Sequence, residues 1–343
     1  MRTIFWDDQK GCIMMIDQTA LPVKLVLLEV HSLDVLQEAI LKLRVRGAPA
    51  LGAAGGFGVA LLAKNITAHD RAEFIDKLKD GAESLKRTRP TAVNLSWGVE
   101  RAMGKALSGR DISEVRALAL EEAKAIADED VAGCKSIGQH GAKLLEDGDT
   151  VMTHCNAGRM ACVDWGTALG VIRSAVAEGK SIKVISCETR PLNQGSRIST
   201  WELTEDGIPV TLITDSMSGH VMRKGMVDKV MVGADRIGED AGFNKIGTST
   251  HSVVAKAHGV PFYVAAPFST FDFTRKEKDV EIEQRSGDEL RYICGVQIAP
   301  KNVETYNPAF DATPMENVSA IITEAGVIRP PVSFDDVRKK FKV

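Results

Sequence analysis

The chain has 343 residues, 44% hydrophobic and 26% charged, which is ordinary soluble-globular composition with length for roughly two domains and a sizeable core. Its net charge of −3 gives no electrostatic case for nucleic acid or an anionic membrane, so basic residues of interest must act locally. The six cysteines show no C-x-x-C spacing, which argues against zinc ribbons and a disulfide scaffold and for reduced thiols.

The N-terminus turns acidic at Asp7-Asp8 and lacks a signal-peptide pattern, so a cytoplasmic protein is expected. Strand-like runs at 12–16 and 24–28, punctuated by Asp17-Gln18 and Leu21-Pro22, predict a small antiparallel sheet. Ser32 can then cap a helix whose Leu33, Leu36, Ile40 and Leu43 fall on one stripe. The uncharged run from Gly47 to Ala63 contains Pro49 and five glycines, and reads as a closely packed helix rather than a membrane span. Helical patterns at 50–63, 69–86, 94–107, 112–128 and 130–145 predict a helical bundle.

From Asp149 the pattern alternates. Strand-like runs at 149–154, 182–186, 209–213, 229–232 and 261–265 are separated by helical segments near 160–178, 196–205, 216–225 and 248–258, with a further strand at 320–323. Alternation of this kind predicts parallel strands joined by right-handed crossovers, an α/β doubly wound sheet. The expected domains are therefore 1–146, a small sheet and helical bundle, and 147–343, the parallel sheet.

Thr153-His154-Cys155-Asn156-Ala157-Gly158 is the stretch on which the chain is organised. A buried strand at 150–152 delivers Cys155 to a turn, and Gly158 is expected to lead into a helix whose dipole favours a reactive thiolate. The alternative is a small buried apolar cysteine. Arg46-Gly47-Ala48-Pro49 lies between two helical patterns. Pro49 suits a first helical turn, leaving the Gly47 and Ala48 amides beside Arg46 as a phosphate cradle, or simply an interhelical turn. Arg89-Pro90-Thr91-Ala92-Val93-Asn94 is a second such loop, by itself usually just a turn. Gln194, after Glu188-Thr189-Arg190-Pro191, could offer an amide to a sugar hydroxyl. Asp235, in Gly233-Ala234-Asp235-Arg236-Ile237, follows an apolar run where partial desolvation would suit a general acid, or where it caps a helix. Asn244 and Lys245 supply an amide and a cation, or a solvated loop.

Dinucleotide, P-loop, H-E-x-x-H and G-x-S-x-G templates are absent. His251 and His258 have no acidic partner between them and read as helix-face positions, so no metal is expected.

Together with Ala265-Ala266-Pro267-Phe268-Ser269-Thr270 and Asn307-Pro308-Ala309-Phe310-Asp311, these blocks resemble the S-methyl-5-thioribose-1-phosphate isomerase family, in one order from about residue 15 to 330. That family belongs to a wider group with regulatory subunits of a translation-initiation nucleotide-exchange factor and with ribose-1,5-bisphosphate isomerases. The resemblance implies a helical N-terminal domain, a Rossmann-like C-terminal domain, a homodimer, and isomerisation of a sugar phosphate without a cofactor. It implies that Arg46, Gly47, Ala48, Arg89, Gln194, Asn244 and Lys245 bind substrate, with Cys155 and Asp235 catalytic. Four places depart from the usual wording: Cys187 where aspartate is typical, Asp164-Trp165, Leu192-Asn193-Gln194 and Ala241-Gly242-Phe243. The expected reaction is conversion of 5-methylthioribose 1-phosphate to its ketose. The alternatives are 5-deoxyribose 1-phosphate or ribose 1,5-bisphosphate as substrate, and a non-catalytic regulatory subunit.

Overall fold

The computed structural model describes residues 1–90 and 92–341; Thr91 of the Arg89–Asn94 stretch, and residues 342–343, lie outside the described residues. Two compact units emerge, Met1–Lys135 with Gly158–Gly166, and Ser136–Ala157 with Thr167–Val343. The sequence places its boundary at 146/147; the contacts divide the chain at Lys135/Ser136 and assign Gly158–Gly166 to the first unit.

The first unit opens with an antiparallel sheet of β1 (Ile4–Asp7), β2 (Cys12–Ile16) and β3 (Leu27–Val30), in that order. Strand β1 has no counterpart among the expected elements. Its four residues are too few for a periodic signal, and pairing with all but the last residue of β2 creates it. Helix α1 (Leu33–Leu41) starts where expected, with Ser32 Oγ accepting the Val35 amide at 3.4 Å. Leu43 falls beyond the stripe, in left-handed backbone at φ 58°.

Helix α2 (Ala48–Asn65) is buried along nearly its whole length, because its glycines let neighbours approach closely. Helices α3 (Arg71–Thr88) and α4 (Val93–Ala106) follow, and at Gly98 a Cβ would stand 2.0 Å from the Gly52 carbonyl oxygen of α2. The two helices expected at 112–128 and 130–145 are one, α5 (Ile112–Ala142). No glycine or proline interrupts 112–132, and Arg101 pairs with both Glu122 and Glu129 across the expected break. No helix among the described residues is long and apolar enough to cross a membrane.

The second unit is built on a seven-stranded sheet. Its strands are β4 (Thr150–Thr153), β5 (Lys183–Cys187), β6 (Val210–Ile213), β7 (Lys229–Val232), β8 (Phe262–Ala265), β9 (Ala320–Thr323) and β10 (Gly326–Ile328). The spatial order is β10-β9-β8-β7-β4-β5-β6, all parallel except the antiparallel edge β10. The chain enters at β4, winds outward through β5 and β6, then returns to β7 on the other side of β4. The order therefore reverses between β4 and β7, the crevice where open α/β sheets bind ligands.

Side chains alternate across this sheet. Val151, Val184 and Met231 pack on one face with Leu169 and Ile172 of α6 (Ala168–Ala177) and Leu203 of α7 (Thr200–Glu205). Met152, Ile185 and Val230 pack on the other with Val221 of α8 (Ser218–Arg223) and Ala255 of α9 (Thr248–Ala257). Both faces are covered, which is why these strands read as continuous apolar runs.

Three further strands, β11 (Arg236–Ile237), β12 (Ala241–Lys245) and β13 (Phe310–Pro314), form a separate antiparallel sheet in the order β13-β12-β11. The sequence did not reveal it, since Ala241-Gly242-Phe243-Asn244-Lys245 lacks β-branched residues and gains its partner from β13, far along the chain.

Candidate active site

In the second unit, Cys155 follows β4 and Asp235 follows β7, so both stand at the carboxyl ends of the two strands that flank the switch point. Cys155 is partly exposed and adopts left-handed backbone at φ 63°. Its amide donates to Thr189 Oγ1 at 2.8 Å, and its carbonyl accepts from Ser199 Oγ at 2.7 Å. Thr189 is itself left-handed at φ 69°. Two non-glycine residues held in this sparsely populated region, side by side, are a mark of a functional turn.

Gly158 does not lead straight into a helix. A short 3-10 turn, Arg159–Ala161, intervenes, and α6 starts only at Ala168, where the Leu169 amide donates to the Ala157 carbonyl at 3.2 Å. The two glycines Gly158 and Gly166 are in contact too close for a Cβ at Gly166, so the intervening loop folds back on itself and delays the helix. The expectation of a helix running from Gly158 is corrected accordingly.

Asn156 is buried and fixed by its side chain. Its Nδ2 donates to Ser199 Oγ at 3.1 Å and to Glu202 Oε1 at 2.9 Å. Glu202, fully buried, accepts from Arg173 at 2.7 Å, and Arg173 also donates to Asp206 at 2.6 Å. Burial opposes the Arg173 charge, but Glu202 and Asp206 outweigh it and hold the guanidinium protonated. The network is satisfied at each of these contacts, which rigidifies the turn beside Cys155.

His154 joins the sites of β4 and β12. Its Nε2 meets the Ile246 carbonyl at 2.9 Å, and because a carbonyl can only accept, Nε2 carries the hydrogen. Nδ1 is left as an acceptor, facing His251 Nε2 at 3.1 Å. Burial lowers the His154 pKa to about 4, and burial with His154 nearby lowers that of His251 to about 3, so both imidazoles are neutral at physiological pH. His251 is a buried position on α9, whereas His258 is the exposed residue that ends it.

Asn244 and Lys245 lie on β12 rather than in a solvated loop, and both are buried. Asn244 Nδ2 donates to Thr248 Oγ1 at 3.2 Å; Lys245 Nζ donates to the Ala309 carbonyl at 2.9 Å and lies 4.9 Å from the Phe310 ring centroid. Across the strand pair, Asp311 stands opposite Asn244 and accepts the Gly247 amide at 2.7 Å and that of Ser249 at 3.1 Å. Burial raises the Asp311 carboxyl above its ordinary value.

Gln194 is buried at the start of a π-helical turn, Gly195–Ser199, and its Oε1 has no hydrogen-bond partner among the described residues. A buried unsatisfied amide oxygen costs free energy unless something else supplies a donor. Asp235 donates its amide to the Phe243 carbonyl at 2.8 Å, which ties it to β12, but its side chain is exposed. The expected apolar surroundings are therefore corrected: Met231 and Val232 are buried within β7, while the chain has left the sheet by residue 235.

The second unit thus gathers Cys155, Gln194, Asp235, Asn244 and Lys245 about the strand ends. In the first unit, Gly47 is the N-cap of α2 at φ 97°, with no side chain capping the helix. A Cβ there would also stand 2.4 Å from the Ala161 carbonyl, so glycine is required twice over. Arg46 is buried, Ala48 begins α2, and Arg89, partly exposed, ends α3. Thr189, Ser199, Glu202, Asp215 and His251 were not singled out for site roles from the sequence. Glu202 lies in the mostly polar run Thr200–Glu205, where only Leu203 is buried beside it, so no sequence signal marks it.

The chain matches the initiation factor 2 subunit family over residues 44–330. It is 60% identical to a putative methylthioribose-1-phosphate isomerase of Methanosarcina acetivorans over 337 residues, covering 98% of this chain and 97% of that one. Among solved structures it is similar to 5-methylthioribose 1-phosphate isomerase from Pyrococcus horikoshii OT3, with TM-score 0.92 and 41% identity over 99% of this chain and 96% of that one. It is also similar to a structure described as translation initiation factor eIF-2B, subunit delta, from A. fulgidus, with TM-score 0.91 and 60% identity over 100% of both chains.

Proposed function

The chain belongs to the initiation factor 2 subunit family, among relatives named methylthioribose-1-phosphate isomerase, and on that premise we propose that it converts 5-methylthioribose 1-phosphate to 5-methylthioribulose 1-phosphate in methionine salvage. The observation that carries this reading is the position of Cys155 and Asp235 after the two strands on either side of the switch point.

The substrate dictates the chemistry. Phosphorylation of the anomeric oxygen locks the sugar as a ring, so ring opening needs an acid at the ring oxygen as its bond to C1 breaks. Asp235 is that acid, and bound sugar covering its exposed carboxyl excludes the water that otherwise favours ionisation. Opening leaves an electron-poor C1 beside a C2 that must lose hydrogen. That hydrogen leaves as a proton to Cys155, giving an enediol, or shifts to C1 as hydride while Cys155 steadies charge at C2. In the second unit, Gln194, Asn244 and Lys245 are substrate-binding residues. In the first unit, Arg46, the Gly47 and Ala48 amides and Arg89 are substrate-binding groups.

The protein acts as a cytoplasmic homodimer of about twice 37.1 kDa; sedimentation as a monomer at micromolar concentration counts against the dimer. The similarity to a structure described as an eIF-2B delta subunit supports a second reading, a non-catalytic regulatory subunit. Assay of the purified protein against 5-methylthioribose 1-phosphate, 5-deoxyribose 1-phosphate and ribose 1,5-bisphosphate separates them. Ketose formed fastest from the methylthio sugar supports the first reading, and no turnover with any sugar leaves the second.

A further inference from the structure

Four side chains from four elements of the second unit meet beside the Cys155 turn. His154 follows β4, Cys187 ends β5, Asp215 lies in the 3-10 turn after β6, and His251 is on α9. One potential ligand atom from each lies within 4.8 Å of the others. We propose that His154, Cys187, Asp215 and His251 form a tetrahedral site for a divalent metal of the zinc type.

The donor set is two imidazoles, a thiol and a carboxylate, the ligand chemistry of zinc rather than of calcium or magnesium. The spacing suits it. Two nitrogens each about 2.0–2.1 Å from a tetrahedral zinc stand about 3.3 Å apart, and His154 Nδ1 and His251 Nε2 are 3.1 Å apart. His154 Nδ1 lies 3.7 Å from Asp215 Oδ1.

The supporting contacts are those of a metal site. The Ile246 carbonyl takes the His154 Nε2 hydrogen, which points the Nδ1 lone pair at the cluster. Asp215 is steadied by the Thr189 amide at 2.8 Å and the Arg190 amide at 2.7 Å. A second, independent observation points the same way. His251 is 1% exposed and its Nδ1 has no hydrogen-bond partner among the described residues, so its present tautomer is fixed by one contact, Nε2 to His154 Nδ1, which is the contact an ion would replace. His154 and Cys187 are buried as well, while the Asp215 side chain is 26% exposed and opens a path for an ion.

Binding is balanced as follows. The Cys187 thiol releases its proton to solvent, the hydrogen on His251 Nε2 is replaced by one on Nδ1, and the metal takes the lone pairs of His154 Nδ1, His251 Nε2, Cys187 Sγ and an Asp215 oxygen. No redox change occurs. The ion ties the carboxyl ends of β4, β5 and β6 to α9 and is structural, with no part in the isomerisation. The site is distinct from the trio Cys12, Glu29 and His31 of the first unit, of which Cys12 is buried and the other two are exposed.

The test uses the full chain, stripped with a chelator and titrated with cobalt(II) and with zinc. The expected result is one cobalt per chain, with a thiolate-to-cobalt charge-transfer band, and displacement by zinc. Cys187→Ser should abolish that band, and His251→Gln should weaken cobalt binding more than about 100-fold, beyond what loss of a supporting contact does. Zinc should raise the wild-type unfolding temperature but not that of His251→Gln, which also reports whether that variant folds. No stoichiometric binding by the wild type, or binding with an unchanged band in Cys187→Ser and unchanged affinity in His251→Gln, overturns the site.

Discussion

The amide of Cys155 donates to the hydroxyl oxygen of Thr189 at 2.8 Å, and both residues hold left-handed backbone, at φ 63° and 69°. The same hydroxyl donates to the Cys187 carbonyl at 3.0 Å, so one buried side chain fastens the end of β4 to the loop after β5. Thr189 acts through Cys155 and is a positioning residue.

Thr189→Val keeps the shape and removes the acceptor. A lost hydrogen bond of this kind costs about 1 kcal/mol or somewhat more, so turnover should fall roughly 5- to 10-fold with KM little changed. Thr189→Ser should restore most of it. A KM effect without a turnover effect would remove Thr189 from the positioning of Cys155.

Cys155→Ala and Asp235→Asn should each lose at least about 100-fold in turnover, the low end of general acid–base contributions. Turnover in deuterium oxide separates the two routes for the C2 hydrogen: solvent deuterium at C1 of the ketose indicates an enediol, and its absence favours a hydride shift. Near-wild-type turnover in both variants would sink the assignment.

Arg46→Ala should raise KM at least about tenfold, since a charge-assisted hydrogen bond contributes roughly 1.5–3 kcal/mol. Gly47→Ala has a different signature. It places a Cβ on the Ala161 carbonyl at 2.4 Å and holds alanine at φ 97°, so it should lower the unfolding temperature as well. Unchanged thermal stability in that variant contradicts the packing described for the α2 N-terminus.

Asp130 gives a pH-dependent prediction for the first unit. Burial pushes its carboxyl up to about 7 from 3.8, although the Val163 amide, at 2.6 Å, and Cys134 favour the charged form. A raised carboxyl favours the protonated folded state, so its contribution is intact below pH 3.8 and is lost as pH rises through about 7. Asp130 keeps some exposed surface, so the loss is discounted to about 1–2 kcal/mol. Asp130→Asn should gain on the wild type by that amount in urea unfolding between about pH 5 and about pH 8. A pH-independent difference would refute it.

Period and punctuation in the sequence are local properties, and what depends on them was legible. Ser32 capping α1, Pro49 in the first turn of α2, and the apolar runs of β4 to β9 each declare themselves within a few neighbouring residues. The alternation of strand and helix from Asp149 carries the doubly wound class for the same reason, and the ordered blocks from Arg46 to Asp311 carry the family. Strand order is not local. The reversal between β4 and β7, which brings the ends of those strands together, arises only when the chain returns from β6. The sheet of β11, β12 and β13 likewise exists because Phe310–Pro314 supplies hydrogen bonds that Ala241–Lys245 cannot find nearby. Burial is decided the same way: Asp235 is exposed and Lys245 buried, against what their neighbours in sequence suggest, because exposure depends on how strands and turns pack in three dimensions. The meeting of His154, Cys187, Asp215 and His251, spread over almost a hundred residues, belongs wholly to the tertiary structure, since no spacing rule links side chains whose proximity is created by the packing of β4, β5, β6 and α9.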